Sequence, residues 1–282
     1  MNDCVVSLEG VSKTFRDFWM RPVTKAVDGI SLKVPRGTVF GLLGPNGSGK
    51  STTIKMILGL IRPTAGKVLL FGKPPQARDA LKRLGYLPEL SRLHPFLTAR
   101  ETLMYHGALA GLSGRLLRDR TASLLADTAL AHVADRRVGT FSKGMARRTA
   151  LAAALVASPE LLVLDEPTSG LDPIGTRAVK ELIRKLASQG VTILMTSHLL
   201  ADSQDVCTHL AILANGHIAA CGEKDELLQK TDTTRFSVRN LSPAAQEAVK
   251  SEMEALSGGE VVVDHPSASL EDFFAKTVEA AE

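Results

Sequence analysis

Gly44-Pro45-Asn46-Gly47-Ser48-Gly49-Lys50-Ser51 is the stretch that decides the fold. Its glycines let the backbone curl until consecutive N–H groups face one concavity, the arrangement that holds phosphate oxygens. The apolar run Thr38-Val39-Phe40-Gly41-Leu42-Leu43 precedes it and reads as a buried strand. Thr52-Thr53-Ile54-Lys55-Met56-Ile57-Leu58 follows and reads as the first turns of a helix. A helix starting here adds the partial positive charge of its N-terminus to the concavity. Lys50 can then reach the β- and γ-phosphates of a nucleotide, and the Ser51 hydroxyl can ligate Mg²⁺. A glycine-rich turn matching by accident would not need that flanking strand and helix.

Outward from the loop, strands alternate with helices. Val5–Val11, Ile30–Val34, residues 66–71 and residues 84–87 read as strands, and Pro35-Arg36-Gly37 turns the chain into the strand before the loop. From Thr98 to about Ala134 the apolar spacing becomes helical, through Leu103, His106, Leu109 and Leu112, then Leu116, Leu117, Leu124 and Leu125. This reads as an inserted helical lobe of about residues 90–140. A helix over Ser142–Ala157 runs into the strand Leu161–Leu164. A second helix, Pro173–Gln189 capped by Gly190, leads to the strand Val191–Ser197. The order predicts an α/β protein with a mainly parallel sheet. Beyond Gly222 the pattern changes: a strand over Thr234–Val238, a helix over Pro243–Ala255, a strand over Val261–Val263 and a helix over Leu270–Ala280 suggest a small α+β appendage. The boundaries expected are 4–228 and 230–282.

Composition bounds the chemistry. The 282 residues are 44% hydrophobic but only 4% aromatic, which suits an aliphatic α/β core. No window offers about 18 uninterrupted apolar residues, so no membrane span is expected. Thr149–Leu164 comes nearest and is broken by Ser158, Pro159 and Glu160. The start, Met1-Asn2-Asp3-Cys4, lacks the basic and apolar regions of a secretory signal. Cys4, Cys207 and Cys221 are scattered and odd in number, which fits reduced thiols rather than a metal site. From Leu241 onward nine acidic residues against Lys250 and Lys276 leave −7, so the first 240 residues carry +11 of the net +4. A basic body fits nucleic acid or an anionic membrane, and it equally fits residues that serve a polyanionic nucleotide.

Two further stretches carry chemistry. Leu161-Leu162-Val163-Leu164-Asp165-Glu166 is a buried strand ending in adjacent carboxylates, whose side chains point differently and can serve separate jobs. Beside a phosphate loop, Asp165 would hold Mg²⁺ directly or through water and Glu166 would polarise an attacking water; alone, both could be solvated acids. Phe141-Ser142-Lys143-Gly144-Met145 opens a helix. Its Ser142 could bind an anion with the helix amides or simply cap the helix.

Taken together, the motifs resemble the ATP-binding-cassette (ABC) family in their order. The matching stretches are Gly44–Ser51, Tyr86-Leu87-Pro88-Glu89, Phe141–Met145, Asp165-Glu166, Ser169-Gly170-Leu171-Asp172 and Thr196-Ser197-His198. The resemblance covers about residues 4–228, and the wording Phe-Ser-Lys-Gly-Met is similar to cassettes that serve ABC-2 type export permeases. It implies a P-loop NTPase fold: a mainly parallel core with an antiparallel β subdomain and a helical lobe. The implied activity is ATP hydrolysis with ATP and Mg²⁺, coupled to transport through a separate transmembrane permease. A second, identical cassette would face this one head to tail, placing Ser142 and Gly144 over the partner's nucleotide. The complex would sit at the cytoplasmic face of the cell membrane, with no nucleic acid. Within the site the resemblance assigns Gly44, Pro45, Asn46, Gly47, Ser48, Gly49, Lys50, Ser51 and Thr52 to the nucleotide. It assigns Ser51, Asp165 and Glu89 to Mg²⁺, and Glu166, His198, Lys50 and Glu89 to catalysis. A permease helix would dock around Pro88–Phe96 and the helical lobe.

Three departures stand out. Lys143 and Met145 replace the commoner Gly and Gln of the signature, and Glu89 replaces a glutamine near the γ-phosphate. Phe15 matches the adenine-stacking aromatic, but Arg16-Asp17-Phe18-Trp19-Met20-Arg21-Pro22 looks about six residues longer than usual. Phe18 or Trp19 could supply the aromatic face instead. Two competing functions remain at this stage: a soluble cassette acting on nucleic acid or ribosomes, and a P-loop kinase or GTPase. The first would carry a coiled-coil insertion or a second cassette, and the second would lack the Phe141–Met145 and Ser169–Asp172 motifs.

Overall fold

Thirteen residues at the start of the chain form β1 (Cys4–Arg16), which pairs antiparallel with β2 (Pro22–Pro35). This is the computed structural model of the chain; it describes residues 4–19, 21–198, 203–228 and 242–257. In chain order there follow β3 (Val39–Leu43), α1 (Lys50–Ile57), β4 (Ala65–Leu70), α2 (Arg78–Leu81) and β5 (Leu84–Leu87). Next come α3 (Ala99–Leu109), α4 (Gly114–Asp127), α5 (Lys143–Leu155), β6 (Leu161–Leu164) and α6 (Pro173–Ser188). The first unit ends with β7 (Thr192–Ser197), β8 (His209–Ala214), β9 (His217–Glu223) and a short helix, Lys224–Leu228. Residues 1–228 and 229–282 form two compact units. In the second, the helix Pro243–Ser257 is described. The expected strands at 234–238 and 261–263 and the helix at 270–280 lie outside the described residues.

The core sheet runs β5-β6-β7-β3-β8-β9, with all neighbours parallel except the β8–β9 hairpin. β3, β6 and β7 are buried at every position, as strands covered on both faces must be. Side chains alternate between the faces, so one sheet feeds two cores. Val39 and Leu43, Leu162 and Leu164, and Ile193 and Met195 join α3–α6 in one. Phe40 and Leu42, Leu161 and Val163, and Leu194 join α1 and the antiparallel sheet β2-β1-β4 in the other. The α/β fold with an antiparallel subdomain and helical lobe is thus the one expected.

Three local readings change. The 16–22 stretch joins a strand hairpin: Phe15 pairs with Thr24 and Arg16 with Pro22, so Arg16 and Pro22 are strand, and between them Asp17 N donates to Arg21 O at 2.9 Å. The β1–β2 register shifts repeatedly along β1. In the helical lobe, Leu109 and Leu116 are exposed rather than core. The buried face of α3 passes instead through Thr102, Leu103 and Gly107. A Cβ on Gly107 would lie 2.2 Å from Leu117 Cδ1, so the missing side chain is what lets α4 approach. Finally, β8 and β9 join through Asn215-Gly216, both at positive φ, the turn chemistry of a tight hairpin.

Candidate functional site

The loop between β3 and α1 lies at the end of the central strand of the sheet. Gly49, the N-cap of α1, has φ 106, and a Cβ there would meet the Ala26 carbonyl at 2.5 Å. Only glycine fits that combination of conformation and close approach. Gly49 offers no capping side chain and the first turn holds no acid. The first amides of α1 therefore remain available to an anion. From behind, Gly216 N donates to Ser48 O at 3.1 Å, so the β8–β9 turn braces the loop. Lys50 is buried on this loop and donates through Nζ to Gly44 O at 2.6 Å and Pro45 O at 3.1 Å. Its ammonium is thereby held across the loop.

A cavity of about 480 Å³ opens over these residues, a size typical of small-ligand sites. Asn46, Gly47, Gly49, Lys50, Ser51 and Thr52 form one wall; Glu89, Glu166 and His198 form another. Phe15 completes the rim together with Thr24 and Ala26 of β2. Those two went unnoticed in the sequence, because only the bulged β1–β2 register sets them beside Phe15. Phe15 lines the cavity, whereas Phe18 and Trp19 do not; they stand 93% and 73% exposed at the hairpin tip. Of the loop, Gly44, Pro45 and Ser48 lie outside the lining.

The carboxylate wall is organised from three parallel strand ends. Thr196 at the end of β7 donates through Oγ1 to Asp165 Oδ1 at 2.6 Å and accepts from Glu166 N at 3.0 Å. One hydroxyl therefore orients both acids. Asp165 is buried and does not line the cavity, whereas Glu166 lines it with a left-handed backbone, φ 49. His198 Nδ1 lies 2.8 Å from Glu166 Oε2. This leaves the other ring nitrogen for a ligand, its protonation set by the tautomer. Burial, with Asp165 nearby, pushes the Tyr86 phenol above its ordinary value.

Ser142 and Gly144 do not join this cavity. Ser142 is the exposed N-cap of α5 and accepts from Met145 N at 3.3 Å. The capping role is thus present within the chain, and any anion contact would be made to another molecule. Sequence reading also missed Arg147, one helical turn on, whose buried guanidinium reaches the backbone of both Glu89 and Glu166.

The donor set fits a nucleotide: an uncapped helix end, a buried ammonium and an aromatic face. Among the described residues no cluster of three or more His, Cys, Asp or Glu forms a metal cage. Mg²⁺ keeps waters and takes most of its other ligands from phosphates, and Ser51 and Asp165 offer oxygens of the kind it takes.

Comparison with known proteins agrees with this geometry. Residues 27–169 match the family model described as ABC transporter. The chain is 40% identical over 240 residues to an uncharacterized ABC transporter ATP-binding protein of Nostoc sp., covering 84% of this chain and 71% of the relative. It is 40% identical over 232 residues to Nod factor export ATP-binding protein I of Rhizobium sp., covering 82% of this chain and 74% of the relative. Among solved structures, a dimeric ATP-binding cassette in a post-hydrolysis state with ADP and Pi superposes with a TM-score of 0.69. It is 26% identical and covers 77% of this chain and 98% of its own. With a matching motif order, cavity, family model and relatives of this extent, the chain belongs to the ABC transporter family, as one of its ATPase subunits.

Proposed function

We propose that residues 4–228 are the ATP-binding domain of an export complex and hydrolyse ATP to ADP and phosphate, with residues 230–282 as an accessory domain. The observation that carries this is one cavity shared by the Asn46–Thr52 wall and the Glu89–Glu166–His198 wall. Phe15 stacks on the adenine, and the loop amides with Lys50 hold the β- and γ-phosphates. Glu166 takes a proton from the attacking water, and its hydrogen-bonded neighbour His198 faces the γ-phosphate. Ser51, Asp165 and Glu89 would hold Mg²⁺, which supplies charge neutralisation of the phosphates when bound. Asp165 is buried outside the cavity lining and would serve the ion directly or through water.

Pairing with an identical cassette head to tail brings the partner's exposed Ser142 and half-buried Gly144 over the nucleotide. Among the described residues no helix is long and apolar enough to cross a membrane. A separate permease would supply the spans, with this subunit peripheral at the cytoplasmic face. Its dock is the region of Pro88–Phe96 and α3, where Leu90, Phe96 and Leu109 stand exposed. No nucleic acid partner is part of this reading. Purification from detergent-solubilised membranes should bring down a multi-span protein together with Mg·ATP hydrolysis. Crosslinking in cells that finds only ribosomal or nucleic-acid neighbours would overturn it.

A further inference from the structure

Arg147 stands out as a buried cation that the reaction above does not use. It lies one turn into α5 and is 7% exposed, yet it makes no ion pair among the described residues, and its guanidinium is spent mainly on backbone carbonyls instead. Nη1 donates to Pro88 O, to Glu89 O at 2.9 Å and to Ser91 Oγ at 3.2 Å. Nη2 donates to Asp165 O and Glu166 O, both at 2.8 Å, and Nε to Pro167 O at 3.2 Å. Burial pulls the guanidinium below its ordinary value, while Asp165, Glu89 and Glu166 oppose that and an arginine stays charged.

A charge buried on carbonyl dipoles is costly, and apolar packing would serve stability as well or better. What an apolar residue could not do is tie two separate segments to one rigid fork. Glu166 needs such a tie. A non-glycine residue at φ 49 persists only where its surroundings over-determine it. Its N–H is held by Thr196 Oγ1 and its carbonyl by Arg147 Nη2, one on each side of the strained residue.

We propose that Arg147 is a positioning residue for ATP hydrolysis. By clasping the carbonyls of Glu89, Asp165 and Glu166 it fixes Glu166 in its left-handed conformation. A displacement of residues 88–91 or of α5 then reaches Glu166 through a single side chain. This rests on the reading that Glu166 activates water.

The test is a kinetic cycle on the full chain with Arg147→Lys, Arg147→Gln and Glu166→Gln. Lysine keeps the charge but has one nitrogen and cannot span both segments. Arg147→Lys should lower kcat about 10²-fold, the scale of a small misplacement of a catalytic group. Affinity for a non-hydrolysable ATP analogue and KM should stay within about threefold, since the loop is untouched. In the Glu166→Gln background Arg147→Lys should add less than about twofold, because both changes act through one group. Full additivity, wild-type kcat in Arg147→Lys, or a loss confined to analogue binding would each overturn the proposal. If Arg147→Lys does not fold, Arg147→Gln is read the same way; failure of both to fold makes Arg147 purely structural and also overturns it. A Glu166→Gln protein with wild-type kcat would instead sink the reading of Glu166 itself, whatever Arg147 does.

Discussion

The two walls of the cavity are built in opposite ways. The loop wall comes from one contiguous stretch, Gly44–Thr52, whose backbone does the work, with glycine conformations and helix amides in a fixed sequence order. The carboxylate wall is assembled from Glu89 after β5, Glu166 after β6 and His198 after β7, neighbours only because the sheet runs β5-β6-β7. The backbones of Glu166 and Glu89 are held by Thr196 and Arg147, from a strand and a helix that never enter the cavity lining. A wall made of backbone tolerates little change in conformation. A wall made of side chains tolerates little change in its supports.

That contrast makes separable predictions. Glu166→Gln keeps shape and hydrogen bonding but removes the base, so turnover should fall by about 10²–10⁴. ATP binding should survive, and light scattering with Mg·ATP should show a dimer that accumulates because hydrolysis no longer opens it. Lys50→Ala strikes the other wall and should do the reverse, with ATP affinity lost and no dimer formed. If both variants show the same phenotype, the two walls do not divide binding from chemistry.

Gly49→Ala attacks the loop through its backbone alone. The new Cβ meets Ala26 O at 2.5 Å in a conformation with φ 106, so thermal unfolding should show a loss of about 1–3 kcal/mol, with ATP affinity falling too. Unchanged stability would mean the loop is freer than its geometry indicates. Glu89→Gln should sit closer to wild type, since one oxygen ligand remains and a repulsive charge disappears near the phosphates. Glu89→Ala should slow turnover while leaving binding nearly unchanged. Equal ATPase rates for all three forms would remove Glu89 from the site.

The smallest effect lies far from the cavity. Arg83 and then Arg36 hydrogen-bond Glu160 and hold its carboxyl down from 4.5 to about 2. A depressed carboxylate stabilises the fold above its unfolded pKa, and the contribution drains away as pH falls from about 4.5 towards about 2. Glu160 is 44% exposed, so screening limits this to about 1 kcal/mol or less. Glu160→Gln should therefore lower stability slightly at pH 7, and the two proteins should converge near pH 2. A gap that persists in acid would assign the effect to packing rather than charge.

Legibility in the sequence follows the same division. The strands Leu161–Leu164 and Val39–Leu43 were readable because fully buried parallel strands are continuous apolar runs. The helical lobe was readable as helix but not as packing. Leucine spacing placed Leu109 and Leu116 in the core, and the close α3–α4 approach at Gly107 left them outside. The β8–β9 hairpin has its sequence signal in Asn215-Gly216, the pair whose positive φ angles close the turn.

By itself, the sequence determined the phosphate loop, the order of the motifs and the α/β class. Each of these depends on residues close in the chain, where glycine conformation and apolar periodicity act locally. Only the tertiary structure decided that Phe15 rather than Phe18 or Trp19 meets the cavity, because β1–β2 register selects it. Only it set Arg147 on the carbonyls of Glu89 and Glu166, 58 and 19 residues away in the chain. Hydrogen bonds at such separations are fixed by strand order and helix packing, and neither is written in any one stretch of residues.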